Sequence, residues 1–199
     1  NIVRSIELEG GQRALYESVR LAMQKKVRDS VAAMGVAKSQ IIVLDALMKM
    51  RQVCCDPRLL KQMDTTGIKS AKIEMLRELM PEMVEEGRKI LIFSQFAEML
   101  RLIEQLCDEL EIPYVKLTGQ TRDRITPVES FQNGEVPIFL ISLKAGGTGL
   151  NLTAADTVIH FDPWWNPAAE DQASDRVHRI GQKLPVTIYR LITQNTIEE

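Results

Sequence analysis

The sequence predicts an α/β fold in which helices cover both faces of a parallel sheet, with an N-terminal helical extension before it. Short apolar segments such as Lys89–Ser94 and Pro137–Ser142 alternate with helical patterns along most of the chain. Strands that are apolar throughout are typical of parallel sheets buried on both faces. The first third of the chain instead shows mainly helical patterns. A length of 199 residues suits one such domain with an appended helical part.

The N-terminal part is predicted to hold one short strand and two helices. Residues 2–8 alternate enough for a strand, and apolar residues at helical spacing predict a helix over residues 12–33. Gly35 interrupts this helix. A second helix is predicted from about Ser39, and it ends at Pro57 because proline cannot continue a helix.

A loop at residues 64–67, with the sequence Asp-Thr-Thr-Gly, marks the predicted domain boundary. We assign residues 1–69 to the helical extension and residues 70–199 to the sheet domain. The chain begins at Asn1 rather than Met and stops at Glu199 within a predicted helix start. We therefore expect a longer protein in which the sheet domain continues.

Beyond the boundary, strands and helices alternate, which defines the α/β pattern. The predicted helices span residues 71–86, 95–110, 121–132 and 166–178, and the predicted strands span residues 89–94, 114–118, 137–142, 156–161 and 186–192. In parallel sheets, ligands bind at the carboxyl ends of the strands. The distinctive residues of this chain follow those ends, at Ser94-Gln95, Gly119, Ser142–Gly149 and Asp162–Asn166.

Composition excludes several classes of protein. The longest apolar runs are too short to span a bilayer, and no secretion signal is visible. Three cysteines, two of them adjacent, fit reduced thiols better than disulfides. His160 and His178 lack clustered ligands, so no metal site is assigned. Residues 1–70 carry 12 Lys+Arg against 7 Asp+Glu, which suits either a phosphate-binding face or an ordinary solvated one.

The glycine-rich segment Ser142–Gly149 follows a predicted strand. Glycines allow close backbone approach to a ligand, and successive backbone N–H groups can bind an anion. Alone, however, such a segment is more often a tight structural turn. The chain has no G-x-x-x-x-G-K-[ST] loop, so a complete nucleotide phosphate site is not predicted.

Two further features lie downstream. Arg176 and Arg179 are three residues apart on a predicted helix end and share a face. Arginines suit the charge that develops during phosphoryl transfer, although an isolated pair is more often a surface feature. In Trp164-Trp165-Asn166-Pro167, capping explains Asn166 and Pro167, whereas two adjacent tryptophans cannot both point inward.

Acidic residues give no predicted magnesium site. Asp108-Glu109 lies at the end of an amphipathic helix, which indicates a surface position. Asp162 follows an apolar strand, as a magnesium-binding carboxylate would, but no phosphate loop precedes it. A structural or relay role is therefore the interpretation for Asp162.

Together these segments resemble the C-terminal helicase lobe of the SWI/SNF family, within superfamily 2 of DNA translocases. The resemblance covers nearly the whole chain. It rests on ILIFSQF, on YVKLTGQT and on a third, longer segment, SLKAGGTGLNLTAADTVIHFDPWWNPAAEDQASDRVHRIGQ. This third segment resembles the family's motifs V and VI. LEGGQRALY and LMKMRQVCCDP resemble the linker between the lobes and its helical protrusion. Gln182 stands where an RNA helicase of the DEAD-box type has Arg, which disfavours that alternative.

The resemblance implies a RecA-like lobe and a role for each matching residue. It implies arginine fingers at Arg176 and Arg179, and ATP-binding positions at Gly147, Gly149, Asn151 and Gln172. It implies DNA-binding positions at Ser94, Gln95, Gly119, Arg124, Ser142, Lys144 and Gly146. It implies that Trp164, Trp165 and Asn166 couple DNA contact to ATP hydrolysis.

The predicted function is that of the C-terminal lobe of a DNA-dependent ATPase that translocates on double-stranded DNA and remodels protein–DNA complexes. ATP with Mg²⁺ would be bound mainly by the N-terminal RecA-like lobe of the same protein, so this chain alone is predicted to be inactive. A DNA-bound protein is a possible target, and no membrane partner is expected. The location would be cytoplasmic in a bacterium, associated with the nucleoid, and nuclear in a eukaryote. The alternatives are a non-catalytic docking module for DNA or protein, and a strand-separating helicase.

Overall fold

The computed structural model describes residues 1–142, 150–163 and 185–199. Within these ranges the chain divides into two compact units. The α/β unit consists of residues 1–5 and 75–192, and the helical unit consists of residues 6–74 and 193–199.

Within the described residues the elements follow one another in the order that the sequence predicts, and the predicted helix over residues 166–178 lies outside them. The strands are β1 (Ile2–Ile6), β2 (Ile90–Ser94), β3 (Tyr114–Leu117), β4 (Ile138–Ser142), β5 (Thr157–His160) and β6 (Thr187–Thr193). The helices are α1 (Gly10–Met34), α2 (Gln40–Cys55), α3 (Ala71–Glu85), α4 (Ala97–Glu109) and α5 (Thr126–Gln132), with short 3-10 turns at Ala37–Ser39 and Pro57–Leu59.

The sheet has six strands in the order β1-β6-β5-β2-β4-β3. The pairs β2–β4, β2–β5, β3–β4 and β5–β6 are parallel. Every residue of β2, β4 and β5 is buried, which is expected for central strands covered on both faces. The predicted α/β fold is therefore confirmed.

Helices α4 and α5 lie on opposite faces of this sheet. The connection β2-α4-β3 leads past β4 to the edge of the sheet, and the connection β3-α5-β4 leads back in the opposite direction. Because both crossovers are right-handed, the two helices lie on opposite faces. The packing agrees, because Phe131 of α5 meets Phe139 edge to face, with ring centroids 5.5 Å apart, in a cluster with Leu91 and Phe93. The alternate residues of β2 face the other way.

The start of α5 differs from the prediction. The sequence pattern predicted a helix from Thr121, whereas α5 begins at Thr126. The Asp123 carboxylate accepts hydrogen bonds from the backbone N–H groups of Ile125 and Thr126, at 3.0 and 3.1 Å. This local side-chain bonding offers the backbone an alternative to helix and delays the first turn.

The helical unit is built on an antiparallel pair, α1 and α2. Gln12 near the start of α1 donates to the Val53 carbonyl near the end of α2 at 2.8 Å, and the Ser30 and Ser39 hydroxyls meet at 2.7 Å at the other end. Gly35 ends α1 with φ +86°, as its predicted role as a helix breaker requires. None of the described helices is long and apolar enough to cross a bilayer.

The C-terminal residues contradict one prediction. A helix start was predicted before Glu199, but residues 194–198 form turns. Asn195 has φ +55°, a left-handed conformation that is incompatible with a continuous right-handed helix.

Candidate functional site

The carboxyl ends of β2, β4 and β5 lie side by side and gather polar side chains. The two serines Ser94 and Ser142 are directly paired in register across β2 and β4. On the other side of β2, Phe93 is paired with His160 of β5, which brings the residues that follow β5 beside Ser94. Parallel pairing thus creates one polar edge from segments far apart in sequence.

Asp162 holds the end of β2 in place. Its carboxylate accepts a hydrogen bond from the Ser94 hydroxyl at 2.5 Å and one from the Gln95 backbone N–H at 3.0 Å. Both Ser94 and Asp162 are fully buried. The Ser94 hydroxyl oxygen also accepts the Phe96 backbone N–H at 3.1 Å, just before α4 begins. Because both Asp162 oxygens already accept hydrogen bonds, the geometry gives this carboxylate a structural role.

Ser142 presents the opposite situation. Its residue is only 5% exposed, yet its hydroxyl has no hydrogen-bond partner within the described residues. Buried hydroxyls are usually paired, so an unpaired one asks for a functional explanation. Ser142 is the last residue of β4 and directly precedes the predicted glycine-rich segment. The two paired serines therefore differ among the described residues: the Ser94 hydroxyl bonds to Asp162, and the Ser142 hydroxyl has no partner there.

Four other predicted residues lie on loops. Gly119 is exposed, and an added Cβ would meet no atom within 4 Å. The loop around it is closed by a hydrogen bond from the Thr118 backbone N–H to the Thr121 hydroxyl, at 2.9 Å. Arg124 is half-buried and Asn151 is exposed. Gln95 is half-buried and donates its side-chain N–H to a backbone carbonyl at 3.3 Å.

The other predicted site residues lie outside the described residues, so their roles stay predictions. They are Lys144, Gly146, Gly147, Gly149, Trp164, Trp165, Asn166, Gln172, Arg176 and Arg179.

The cysteines and the described histidine are buried. Cys54, Cys55 and Cys107 are free, buried cysteines. Their reduced state stays a prediction. Burial raises the pKa of Cys54 to about 11 and that of Cys107 to about 12. Within the described ranges no three His, Cys, Asp or Glu side chains are grouped as metal ligands would be.

His160 makes stability depend on pH. Its ring stacks on Phe93, with centroids 5.6 Å apart, and burial, with a smaller contribution from the Arg190 charge, lowers the pKa of His160 to about 3. In the unfolded chain this histidine takes up a proton near pH 6.5, whereas the folded chain keeps it neutral to about pH 3. Its contribution to stability is therefore fully present above pH 6.5 and is lost progressively as the pH falls towards 3.

Below pH 6.5, the free energy of unfolding should decrease as the pH is lowered, and it should decrease more steeply in the natural chain than in His160→Gln. We expect the two slopes to differ by up to about 1.4 kcal/mol per pH unit. Urea unfolding of both chains between pH 7 and 5 measures this difference. If the free energy of unfolding changes with pH in the same way in both chains, the pKa of His160 is not lowered by burial.

The parallel sheet, its helices on both faces and the polar carboxyl edge define the class, a RecA-like lobe of the helicase type. The model of the helicase conserved C-terminal domain matches residues 71–181. The chain is 38% identical to a putative ATP-dependent helicase/translocase, YwqA, of Bacillus subtilis over 98% of its length and 21% of that protein. It is 41% identical to the human SWI/SNF-related matrix-associated actin-dependent regulator of chromatin subfamily A member 1 over 79% of its length and 16% of that protein.

A solved structure supports the same conclusion. The Sulfolobus solfataricus SWI2/SNF2 ATPase core in complex with dsDNA matches with a TM-score of 0.81 and 33% identity, over 99% of this chain and 42% of that one. The chain belongs to the SWI/SNF family and corresponds to its C-terminal helicase lobe. It spans about a fifth of the length of its curated relatives.

Proposed function

We propose that this chain is the C-terminal lobe of a DNA-stimulated ATPase that translocates on double-stranded DNA and remodels protein–DNA complexes. The relatives' names include ATP-dependent helicases and a chromatin regulator, and a related ATPase core has been solved with dsDNA. The observation on this chain that carries the proposal is the Ser142 hydroxyl at the carboxyl edge of the sheet, which has no hydrogen-bond partner among the residues that the structure describes. A phosphate oxygen of the DNA backbone is an acceptor that would satisfy it.

The chemistry at this edge fits a partial nucleotide site. ATP with Mg²⁺ supplies the phosphoryl group and the metal charge in the full-length protein. Asp162 holds the end of β2 through its two hydrogen bonds, and the N-terminal lobe would provide the magnesium ligands. Asn151, Gln172 and the glycines at 147 and 149 would line the cleft on this side.

The predicted roles of the remaining residues complete the proposal. Arg176 and Arg179 would meet the charge that develops on the transferred phosphoryl group. DNA would contact Ser94, Gln95, Gly119, Arg124, Ser142, Lys144 and Gly146, and Trp164, Trp165 and Asn166 would relay that contact. Residues 1–69 would form the inter-lobe linker and helical protrusion, and residues 70–199 the lobe itself. The structure groups residues 70–74 with the helical unit, so the boundary between residues 69 and 70 remains part of the proposal.

Replacement of Ser142 tests the DNA contact. Ser142→Ala removes a hydroxyl that bonds to nothing in the described structure, so the stability should stay unchanged. A hydrogen bond to a charged phosphate contributes roughly 1.5–3 kcal/mol, so the affinity for duplex DNA should fall about tenfold or more. Fluorescence anisotropy with labelled duplex DNA and the full-length protein measures the affinity.

Ser94→Ala is the matched comparison for stability only, because Ser94 is paired in register with Ser142 but its hydroxyl bonds to Asp162, and Ser94 is itself a proposed DNA contact. This substitution should lower thermal stability, which Ser142→Ala should not. Unchanged DNA affinity in Ser142→Ala would exclude the proposed phosphate contact.

A further inference from the structure

A buried ion pair in the helical unit joins residues far apart in sequence. The Lys72 ammonium lies 2.9 Å from both carboxylate oxygens of Glu198, and both side chains are fully buried. One oxygen of Glu198 also accepts the backbone N–H and the hydroxyl of Thr193, each at 2.9 Å. This carboxylate is therefore saturated by a cation and two neutral donors.

Both residues of the pair belong to the helical unit and are close in sequence to points at which the chain passes from one unit to the other. The chain crosses three times, after Ser5, after Glu74 and after Ile192. Lys72 is two residues before Glu74, the last residue ahead of the second crossing, and Thr193, which Glu198 holds, directly follows the third. The first crossing is tied to the third as well, because the Gln194 N–H donates to the Ile6 carbonyl at 2.8 Å. Within the helical unit, hydrogen bonds and the ion pair thus link the residues near all three crossings.

Two side chains of α1 hold the same C-terminal turn from another direction. Arg13 donates to the carbonyls of Gln194 at 2.8 Å and Asn195 at 3.2 Å. The Tyr16 hydroxyl oxygen accepts the Ile197 backbone N–H at 2.8 Å. We use "C-terminal turn" below for residues 193–198. Its backbone is fixed by side chains from α1 and, through Glu198, from α3.

Stability alone does not account for this ion pair. Removing two charges from water is costly, and well-packed apolar residues of similar volume are often equally stable or more stable. What the pair supplies beyond an apolar contact is geometry, because a saturated carboxylate permits one arrangement of the turn. Glu198 bonds to Thr193, the last residue of β6, and β6 follows the segment with Arg176 and Arg179 in the chain.

We propose that Lys72 and Glu198 are positioning residues that couple the helical unit to ATP hydrolysis through the C-terminal turn. They touch neither nucleotide nor DNA. They act by fixing the turn, and hence the end of the strand that follows the predicted finger segment. This inference rests on the proposed ATPase function and adds to it a route by which the helical unit influences turnover.

The test compares the full-length protein with the double variant Lys72→Met/Glu198→Leu and with the conservative variant Glu198→Gln. We expect the double variant to recover most of the thermal stability that each single change loses, because neither charge is left buried alone. Its KM for ATP should be unchanged, and its DNA-stimulated kcat should fall about fivefold or more. Amide hydrogen exchange at Thr193 and Ile197 should become at least about tenfold faster, because the turn loses its anchor.

Glu198→Gln keeps an oxygen for Thr193 but loses the ion pair, so its kcat should lie between those of the natural protein and the double variant. Arg58→Met is the matched control, since Arg58 pairs with buried Asp56 in the same unit at 2.8 Å without joining two crossings. It should leave kcat unchanged.

If Glu198→Gln and the double variant both keep the kcat and the amide hydrogen-exchange rates of the natural protein, the positioning role is wrong. A natural protein without DNA-stimulated ATPase activity would instead overturn the proposed function. In that case the exchange measurement still decides whether the pair fixes the turn.

Discussion

Arg179→Ala in the full-length protein should lower DNA-stimulated ATP hydrolysis by a factor of about 10³ or more. An arginine finger stabilises the charge on the transferred phosphoryl group, and its removal carries penalties of that size in phosphoryl-transfer enzymes. Lysine should not substitute well, because its compact charge cannot form the two-pronged contacts of a guanidinium group. Steady-state kinetics with saturating duplex DNA measure the effect, which should appear in kcat rather than in KM.

Arg101→Ala provides a matched control for this prediction. Arg101 is a half-exposed arginine of α4 that pairs with Glu98 on the surface at 3.1 Å. Surface pairs of this kind contribute little, so the kinetics should not change. If Arg179→Ala hydrolyses ATP as fast as the natural protein does, Arg179 is not a finger.

Asp162→Ala should lower the free energy of unfolding of the chain by about 3 kcal/mol. The substitution leaves the Ser94 hydroxyl and the Gln95 N–H without their acceptor in a fully buried place, and each unsatisfied donor costs roughly 1–3 kcal/mol. Because the same bonds position the end of β2, DNA affinity should fall too. Urea unfolding and anisotropy measure the two effects.

Asp156→Ala is the matched control at the opposite end of β5. Asp156 also accepts one backbone N–H, from Lys89 at 3.1 Å, and one hydroxyl, from Thr157 at 2.9 Å. Asp156 is only half-buried, so water can replace its carboxylate as the hydrogen-bond acceptor. The free energy of unfolding should therefore fall by about 1 kcal/mol. DNA affinity should stay unchanged. Equal losses in the two variants would show that the burial of Asp162 has no special effect.

The sheet could be predicted from the sequence because its central strands are apolar at every position. A run such as Ile90–Ser94 has few alternatives to a buried strand, and the structure has β2 at these residues. The start of α5 could not be predicted in the same way. It depends on which local donors the Asp123 side chain accepts, and side-chain bonding of this kind leaves no periodic pattern.

The same contrast holds for the site. Strand ends showed that Ser94, Ser142 and Asp162 would gather at one edge, since parallel strands share their direction. Sequence could not show that Ser94 bonds to Asp162 whereas Ser142 has no partner in the described part of the chain, because this depends on register across three strands.

The sequence predicted no role for Lys72. Its partner, Glu198, is 126 positions away along the chain. A fully buried lysine is rare enough to be informative once burial is known, but an isolated Lys at a helix start carries no such signal.

The burial of the three thiols has a practical consequence for single-molecule work. A maleimide dye reacts with an exposed thiolate, and Cys54, Cys55 and Cys107 are neither exposed nor, for Cys54 and Cys107, ionised near neutral pH. A cysteine introduced on the surface, for example at exposed Arg122, should therefore label selectively in this part of the protein. The natural cysteines would not first have to be removed, so distance changes between the lobes during ATP turnover could be followed on an otherwise unaltered lobe.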